Sequence, residues 1–290
     1  MAIRPFTPES GDLKSDDHGI ILLNHVGSSV REDTGRDAQH LANYLGMTVI
    51  AVDRPGSGRT FLSRELRGRL SYDYVKEVGK LSLSIDREAS RSGVKRLVVA
   101  GRSAGATGAL ALTAAENLAL EGVYAAEPVG MYDTTVSQGR RDYADYLRRQ
   151  KELLEFRSDD TSLVRPHGSG VSGFGVVSRA VDIGLSTVSD HYHNAGVWSQ
   201  SIAFSAAHYI AGEMPQVDLQ LDFAALSMSG PQKMIDRLRC GLSAERAAVA
   251  NMPDASVTQV PDTVHASFDN RDFFGSRMDR FMLQAGITTS

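Results

Sequence analysis

Apolar residues along this chain fall into short unbroken runs, and the runs alternate with longer stretches of helical period. Gly19-Ile20-Ile21-Leu22-Leu23 is one run, followed by a helical pattern over Asp37 to Leu45. Thr48-Val49-Ile50-Ala51-Val52 is the next, and a long helical pattern spans Tyr72 to Ser92. Arg96-Leu97-Val98-Val99-Ala100 leads into an Ala- and Gly-rich stretch from Ala104 to Ala115, and Gly122-Val123-Tyr124-Ala125-Ala126 follows. Continuous rather than alternating hydrophobicity predicts strands covered on both faces. The strand–helix alternation predicts an α/β class fold with a mostly parallel sheet flanked by helices.

From Met131 to about Gly212 the rhythm breaks. A charged helical stretch runs from Gln138 to Phe156, and a Gly/Ser-rich loop from His167 to Ser178. A second helical stretch, Val197 to Ala211, carries Trp198, Ile202 and Tyr209. Strand character resumes near Leu219 to Met228 and at Ser256-Val257-Thr258-Gln259-Val260. A final amphipathic helix carries Phe273, Phe274, Met278, Phe281 and Met282. The predicted organisation is a core over residues 1–130, a mainly helical cap insertion over 131–212, and a return to the core over 213–290.

Composition narrows the function classes. With 42% apolar and 23% charged residues, the 290-residue chain can bury a substantial core. A formal net charge of −4 gives no reason to expect nucleic acid as a partner. The single cysteine, Cys240, excludes an internal disulfide framework and a cysteine-based zinc site. The N-terminal stretch has no signal-like apolar region, and no segment approaches the roughly 18 apolar residues of a membrane span. The expectation is a soluble, cytoplasmic protein.

The chemistry concentrates where the third strand runs into Gly101-Arg102-Ser103-Ala104-Gly105 and then a helix. This is G-x-S-x-G between a strand and a helix, a turn that projects a serine hydroxyl above a sheet. Such a turn demands small flanking residues, and Gly101, Gly105, Ala106 and Gly108 meet that demand. The helix N-terminus behind Ser103 also places N–H groups and partial positive charge where an oxyanion forms. The segment lacks the G-x-G-x-x-G spacing and the P-loop lysine of a nucleotide site.

With Asn24-His25-Val26-Gly27-Ser28-Ser29 after the first strand and Asp53-Arg54-Pro55-Gly56-Ser57-Gly58-Arg59 after the second, the chain resembles the α/β-hydrolase superfamily. The first segment is similar to that family's His-Gly loop, and the second to its D-x-P-G-x-G turn. Val26 stands where the family usually has glycine, so either Val26 or Gly27 is the second oxyanion donor beside Ala104. The resemblance implies a histidine after the last strand, and among eight histidines only His265 lies there.

Family members place the acid after either of two strands. The later position here, Leu226 to Pro231, has no carboxylate in its loop. The earlier one reads Ala125-Ala126-Glu127-Pro128-Val129-Gly130. It resembles the acid loop of haloalkane dehalogenases that use Glu after that strand, and the D-P-A-G loop of pancreatic-type lipases. Glu127 is therefore the expected acid, with Asp222 and Asp218 as alternatives, in the order Ser…Asp/Glu…His.

Other signals carry less. Gly168-Ser169-Gly170-Val171-Ser172-Gly173 matches G-x-G-x-x-G, but no strand precedes it, so a cap loop is expected. Asp190-His191-Tyr192-His193 lacks a second ligand cluster, so no metal is expected, and His191 or His193 remains a candidate pocket residue. The resemblance implies a serine esterase, thioesterase or amidase of carboxylesterase or lipase type. It would work through a Ser103–His265–Glu127 triad with no cofactor, on a small-molecule acyl substrate. An acyltransferase on the same triad and a non-catalytic small-molecule binder on the same fold stay open.

Overall fold

The computed structural model describes residues 3–14, 17–24, 30–31, 33–54, 74–113, 115, 117–128, 131–132, 137, 140–141, 144, 204–205, 218–224, 255–263 and 265–287. At 74–78, 131–132, 204–205, 223–224, 255, 259 and 265–266 the description covers the backbone only.

Among the described residues seven strands form one sheet: β1 (Ile3–Phe6), β2 (His18–Leu23), β3 (Thr48–Val52), β4 (Arg96–Arg102), β5 (Leu120–Ala126), β8 (Asp218–Ala224) and β9 (Ala255–Val260). Their order across the sheet is β1-β3-β2-β4-β5-β8-β9. Only β1 is antiparallel, pairing Ile3 to Phe6 with Val52 to Val49. All other neighbours are parallel. The connecting helices are α1 (Asp33–Leu45), α2 (Tyr74–Arg91) and α3 (Ala104–Leu112), and α4 (Arg271–Gln284) closes the chain. A 3₁₀ turn, His265–Asp269, lies between β9 and α4.

Side chains that alternate along each strand split into two cores, which is why the runs carry no polar face. Ile21, Leu23, Ile50, Val52, Val99, Val123, Ala125 and Leu221 pack with Leu81 and Ile85 of α2 and the buried α3. Ile20, Leu22, Val49, Ala51, Val98, Ala100, Tyr124 and Ala126 face Leu41 and Leu45 of α1 and Phe274, Met278 and Phe281 of α4. Helices thus cover both faces, the condition under which a parallel strand becomes continuously apolar.

The crossovers leave β2 in opposite senses. From β2 the chain moves outward to β3 through α1, then returns past β2 to β4 through α2 on the other face. The point between β2 and β4 is therefore a topological switch. In open α/β sheets, ligands gather outside the strands' carboxyl ends at such a point.

One strand was not expected, and one sequence expectation changes. β1 carries no recognisable run because Arg4 and Pro5 interrupt it. Proline is acceptable there since β1 is the edge strand and needs fewer donors. The expected helix over Val197 to Ala211 contains a strand instead, β7 (Phe204–Ser205), paired in parallel with β6 (Met131–Tyr132). Two-residue strands leave no period to read. The strand expected near Leu219 to Met228 is present as Asp218–Ala224, and residues 225–228 lie outside the described residues.

The β6–β7 pairing brings the chain just after β5 together with the chain before β8. Within the intervening segment, residues 137, 140, 141 and 144 are helical. Its Gly/Ser-rich loop, His191, His193 and Trp198 lie outside the described residues. Among the described residues no helix is long and apolar enough to cross a membrane.

Candidate active site

Ser103 follows the last residue of β4 and precedes the first of α3. Its backbone sits at φ 54°, ψ −128°, a region that costs an L-residue about 1–3 kcal/mol and persists only where surrounding structure imposes it. The glycines on either side show what imposes it. A Cβ on Gly101 would lie 2.3 Å from the carbonyl carbon and oxygen of Gly105. A Cβ on Gly105 would lie 2.5 Å from the Leu23 carbonyl oxygen. The helix start is pressed against both its own strand and the exit of β2, so neither position accepts a side chain.

The donors around Ser103 divide clearly. Its own N–H donates to Ala126 O at 2.9 Å, while its carbonyl accepts from Ala106 N–H at 3.0 Å and Thr107 N–H at 3.3 Å. Ala104 N–H, in the first turn of α3, makes no backbone hydrogen bond among the described residues. As a first-turn donor at the positive end of a helix, it can serve an anion above Ser103. Ser103 itself is only half-buried.

Glu127 is the residue directly after β5, the strand next to β4, and it is fully buried. It too has a positive φ, 51°, and its N–H donates to Asp222 O at 2.8 Å. The expected acid and nucleophile therefore occupy the same edge, at the exits of adjacent strands.

The alternatives are placed differently. Asp218 pairs with Gly122 at the amino end of β8, the opposite end of the strand from the Ser103 edge, and is exposed. Asp222 is fully buried with both carboxylate oxygens occupied. Tyr124 Oη donates to it at 2.8 Å, Gln220 Nε2 at 2.8 Å, Arg277 Nε at 2.6 Å and Arg277 Nη2 at 2.7 Å. Its hydrogen bond to Asp222 pushes the Arg277 guanidinium up from its ordinary value. Burial, reinforced by the Asp222 charge, pushes the Tyr124 phenol well up. This network ties β5 and β8 to α4 from beneath the strand ends. Nothing in the sequence signalled it, since Tyr124 and Asp222 are 98 residues apart.

His265 opens the 3₁₀ turn before α4; its imidazole, like Val26 and Gly27, lies outside the described residues. The described residues on either side of Val26 and Gly27 are well anchored. Asn24 O accepts from Arg54 Nε at 2.6 Å, and Asn24 Oδ1 from Arg54 N–H at 2.7 Å. At the other end Val30 N–H donates to Asp53 Oδ1 at 2.8 Å. Asp53 and Arg54, the first residues of the D-x-P-G-x-G turn, thus fix both ends of the His25–Ser29 segment. The turn-forming part of that motif, Pro55 to Arg59, lies outside the described residues. Among the described residues no group of three or more His, Cys, Asp or Glu side chains is arranged to hold a metal.

The fold is similar to that of several solved structures. MenH from S. aureus superposes over 98% of this chain and 98% of its own, with a TM-score of 0.58 and 12% identity. MGS-M2, an α/β hydrolase enzyme from a Medee basin deep-sea metagenome library, matches 97% of this chain and 93% of its own (TM-score 0.60, 14% identity). A thermophilic esterase from Thermogutta terrifontis matches 98% and 93% (TM-score 0.58, 11% identity). No protein-family model matches the sequence, and no curated protein matches it either. The chain has the α/β-hydrolase fold, and identities this low leave its activity to be argued from the site.

Proposed function

We propose that this protein is a serine hydrolase that cleaves a small acyl ester, thioester or amide through an acyl-enzyme. Ser103 attacks the carbonyl while His265 takes its proton and later returns it to the leaving group. Glu127 holds the imidazole tautomer and stabilises the imidazolium. Ala104 N–H, with that of Val26 or Gly27, receives the oxyanion. The segment 131–212 acts as a cap that shapes the acyl pocket.

The observation that carries this reading is the backbone of Ser103. A strained serine, fixed by two obligatory glycines at the head of a buried helix, serves no packing need that a relaxed turn would not meet. Its position beside the sheet's switch point and next to a buried Glu127 adds support. Asp222 fits the acid role poorly because four donors already saturate it.

A series of p-nitrophenyl esters of increasing chain length tests the reading. Wild-type protein should turn over at least one of them, with chain-length preference reporting the pocket. Ser103→Ala should keep the fold and lose about a thousandfold or more in kcat. Ester turnover that survives unchanged in the variant would contradict the assignment.

A further inference from the structure

We propose that Arg102, the first variable residue of the G-x-S-x-G turn, is a positioning residue that locks the His265-bearing turn onto the nucleophile elbow. The proposal rests on the reading of Ser103 and His265 as partners and adds a residue to it.

Arg102 ends β4 and immediately precedes Ser103, and its side chain is 11% exposed. Strand alternation sends it to the α1 and α4 side of the sheet, with Val98 and Ala100. There its guanidinium reaches two elements at once, the 3₁₀ turn and α1. Nη1 donates to Phe268 O at 3.1 Å, within the 3₁₀ turn that begins at His265. Nη2 donates to Asp37 Oδ2 of α1 at 2.9 Å. Nε stands 3.2 Å from Asp269 Oδ1, at ion-pair distance but without hydrogen-bond alignment. Asp37 in turn accepts from Arg271 Nε, at the start of α4, at 2.6 Å.

This arrangement suits a planar fork and not a point charge. One guanidinium can bond a carbonyl and a carboxylate in fixed directions, whereas an ammonium places all its donors on one atom. The turn needs such an anchor. A single five-residue 3₁₀ segment has poor internal hydrogen bonds, and misplacing a catalytic group by about 1 Å costs roughly a hundredfold in rate. Phe268 is itself buried and packs edge-on to Phe273 at 5.4 Å, so the turn has an independent apolar hold. Removing Arg102 should therefore loosen the turn's aim without unfolding the protein.

The test uses the full chain with Arg102→Met and Arg102→Lys. Hydrogen exchange at the amides of 267–270 should be about tenfold faster in Arg102→Met, while amides of 97–100 keep their protection. On an ester that the wild type hydrolyses, kcat should fall about ten- to a hundredfold with KM within about threefold. Arg102→Lys should be intermediate, and added guanidinium should restore part of the Arg102→Met rate. Faster exchange with wild-type kcat would make Arg102 purely structural and overturn the proposal, as would unchanged exchange. If Arg102→Met does not fold, Arg102→Lys decides, and wild-type exchange and kcat in it would overturn the proposal. Failure of the hydrolase reading shows separately, as a wild type inert to a fluorophosphonate, and exchange in the variants then still reports whether the anchor exists.

Discussion

The N–H of Ser103 donates to the carbonyl of Ala126 at 2.9 Å, joining the exits of β4 and β5 one residue before Glu127. This bond engages the Ser103 N–H, and the proposed reaction accordingly draws its oxyanion donor from Ala104 instead. Glu127 N–H continues the stitching by donating to Asp222 O on β8. Both Ser103 and Glu127 have positive φ, 54° and 51°, although neither is glycine. Strain of about 1–3 kcal/mol at each of two neighbouring strand exits marks a place where geometry is held at the expense of stability.

Glu127 and Asp222 should respond to substitution in opposite ways. Glu127→Gln should lower kcat by about a hundredfold to ten-thousandfold with little change in melting temperature, because it removes the charge that fixes the imidazole tautomer. Asp222→Asn breaks a buried ion pair and should destabilise the fold by about 3–5 kcal/mol, leaving kcat per folded molecule within a few fold. Activity and thermal melts on the two variants check this. A nearly silent Glu127→Gln beside a folded but inactive Asp222→Asn would move the acid to β8.

The elbow glycines should be intolerant for steric reasons. Gly105→Ala drives a Cβ to 2.5 Å from Leu23 O, and Gly101→Ala drives one to 2.3 Å from the Gly105 carbonyl. Since these contacts are with backbone, each variant should lose about 2–3 kcal/mol or more in urea denaturation. Wild-type stability in both would show that the turn is looser than described.

Alkaline pH should weaken the fold through Tyr124. Burial and the adjacent Asp222 carboxylate raise its phenol above the ordinary value of 10.0. The native state therefore keeps this proton after the unfolded chain has lost it. The contribution is fully present below about pH 10 and falls by about 1.4 kcal/mol per unit as pH rises further, until the folded phenol also ionises. Tyr124→Phe should cost about 1–2 kcal/mol at pH 8 and show a shallower alkaline decline. Urea denaturation between about pH 8 and 11 checks this, and identical slopes would contradict it.

The parts of the fold that the sequence revealed are those governed by local chemistry. Ile20–Leu23, Val49–Val52, Val98–Ala100 and Val123–Ala126 read as strands because both faces of the sheet are covered, so every position is apolar. The glycines of the G-x-S-x-G turn announced a close approach of backbone to backbone, and the contacts at Gly101 and Gly105 are its physical content. What could not be read depends on distance along the chain. Arg102 meets Phe268 across 166 residues, and Arg277 meets Asp222 across 55. No spacing or period encodes either partner. β1 was hidden for another reason: it is stabilised by pairing with one neighbour, β3, which tolerates the Arg4-Pro5 interruption.

The most direct measurement is the intact mass of the protein after exposure to a fluorophosphonate, with peptide mapping of the adduct. On the proposed mechanism, the serine of this strained elbow should react stoichiometrically. The adduct should lie on Ser103 and be absent from Ser103→Ala, and His265→Ala should slow its formation by about a thousandfold or more. An unmodified wild type, or an adduct on another residue that persists in Ser103→Ala, would contradict the account.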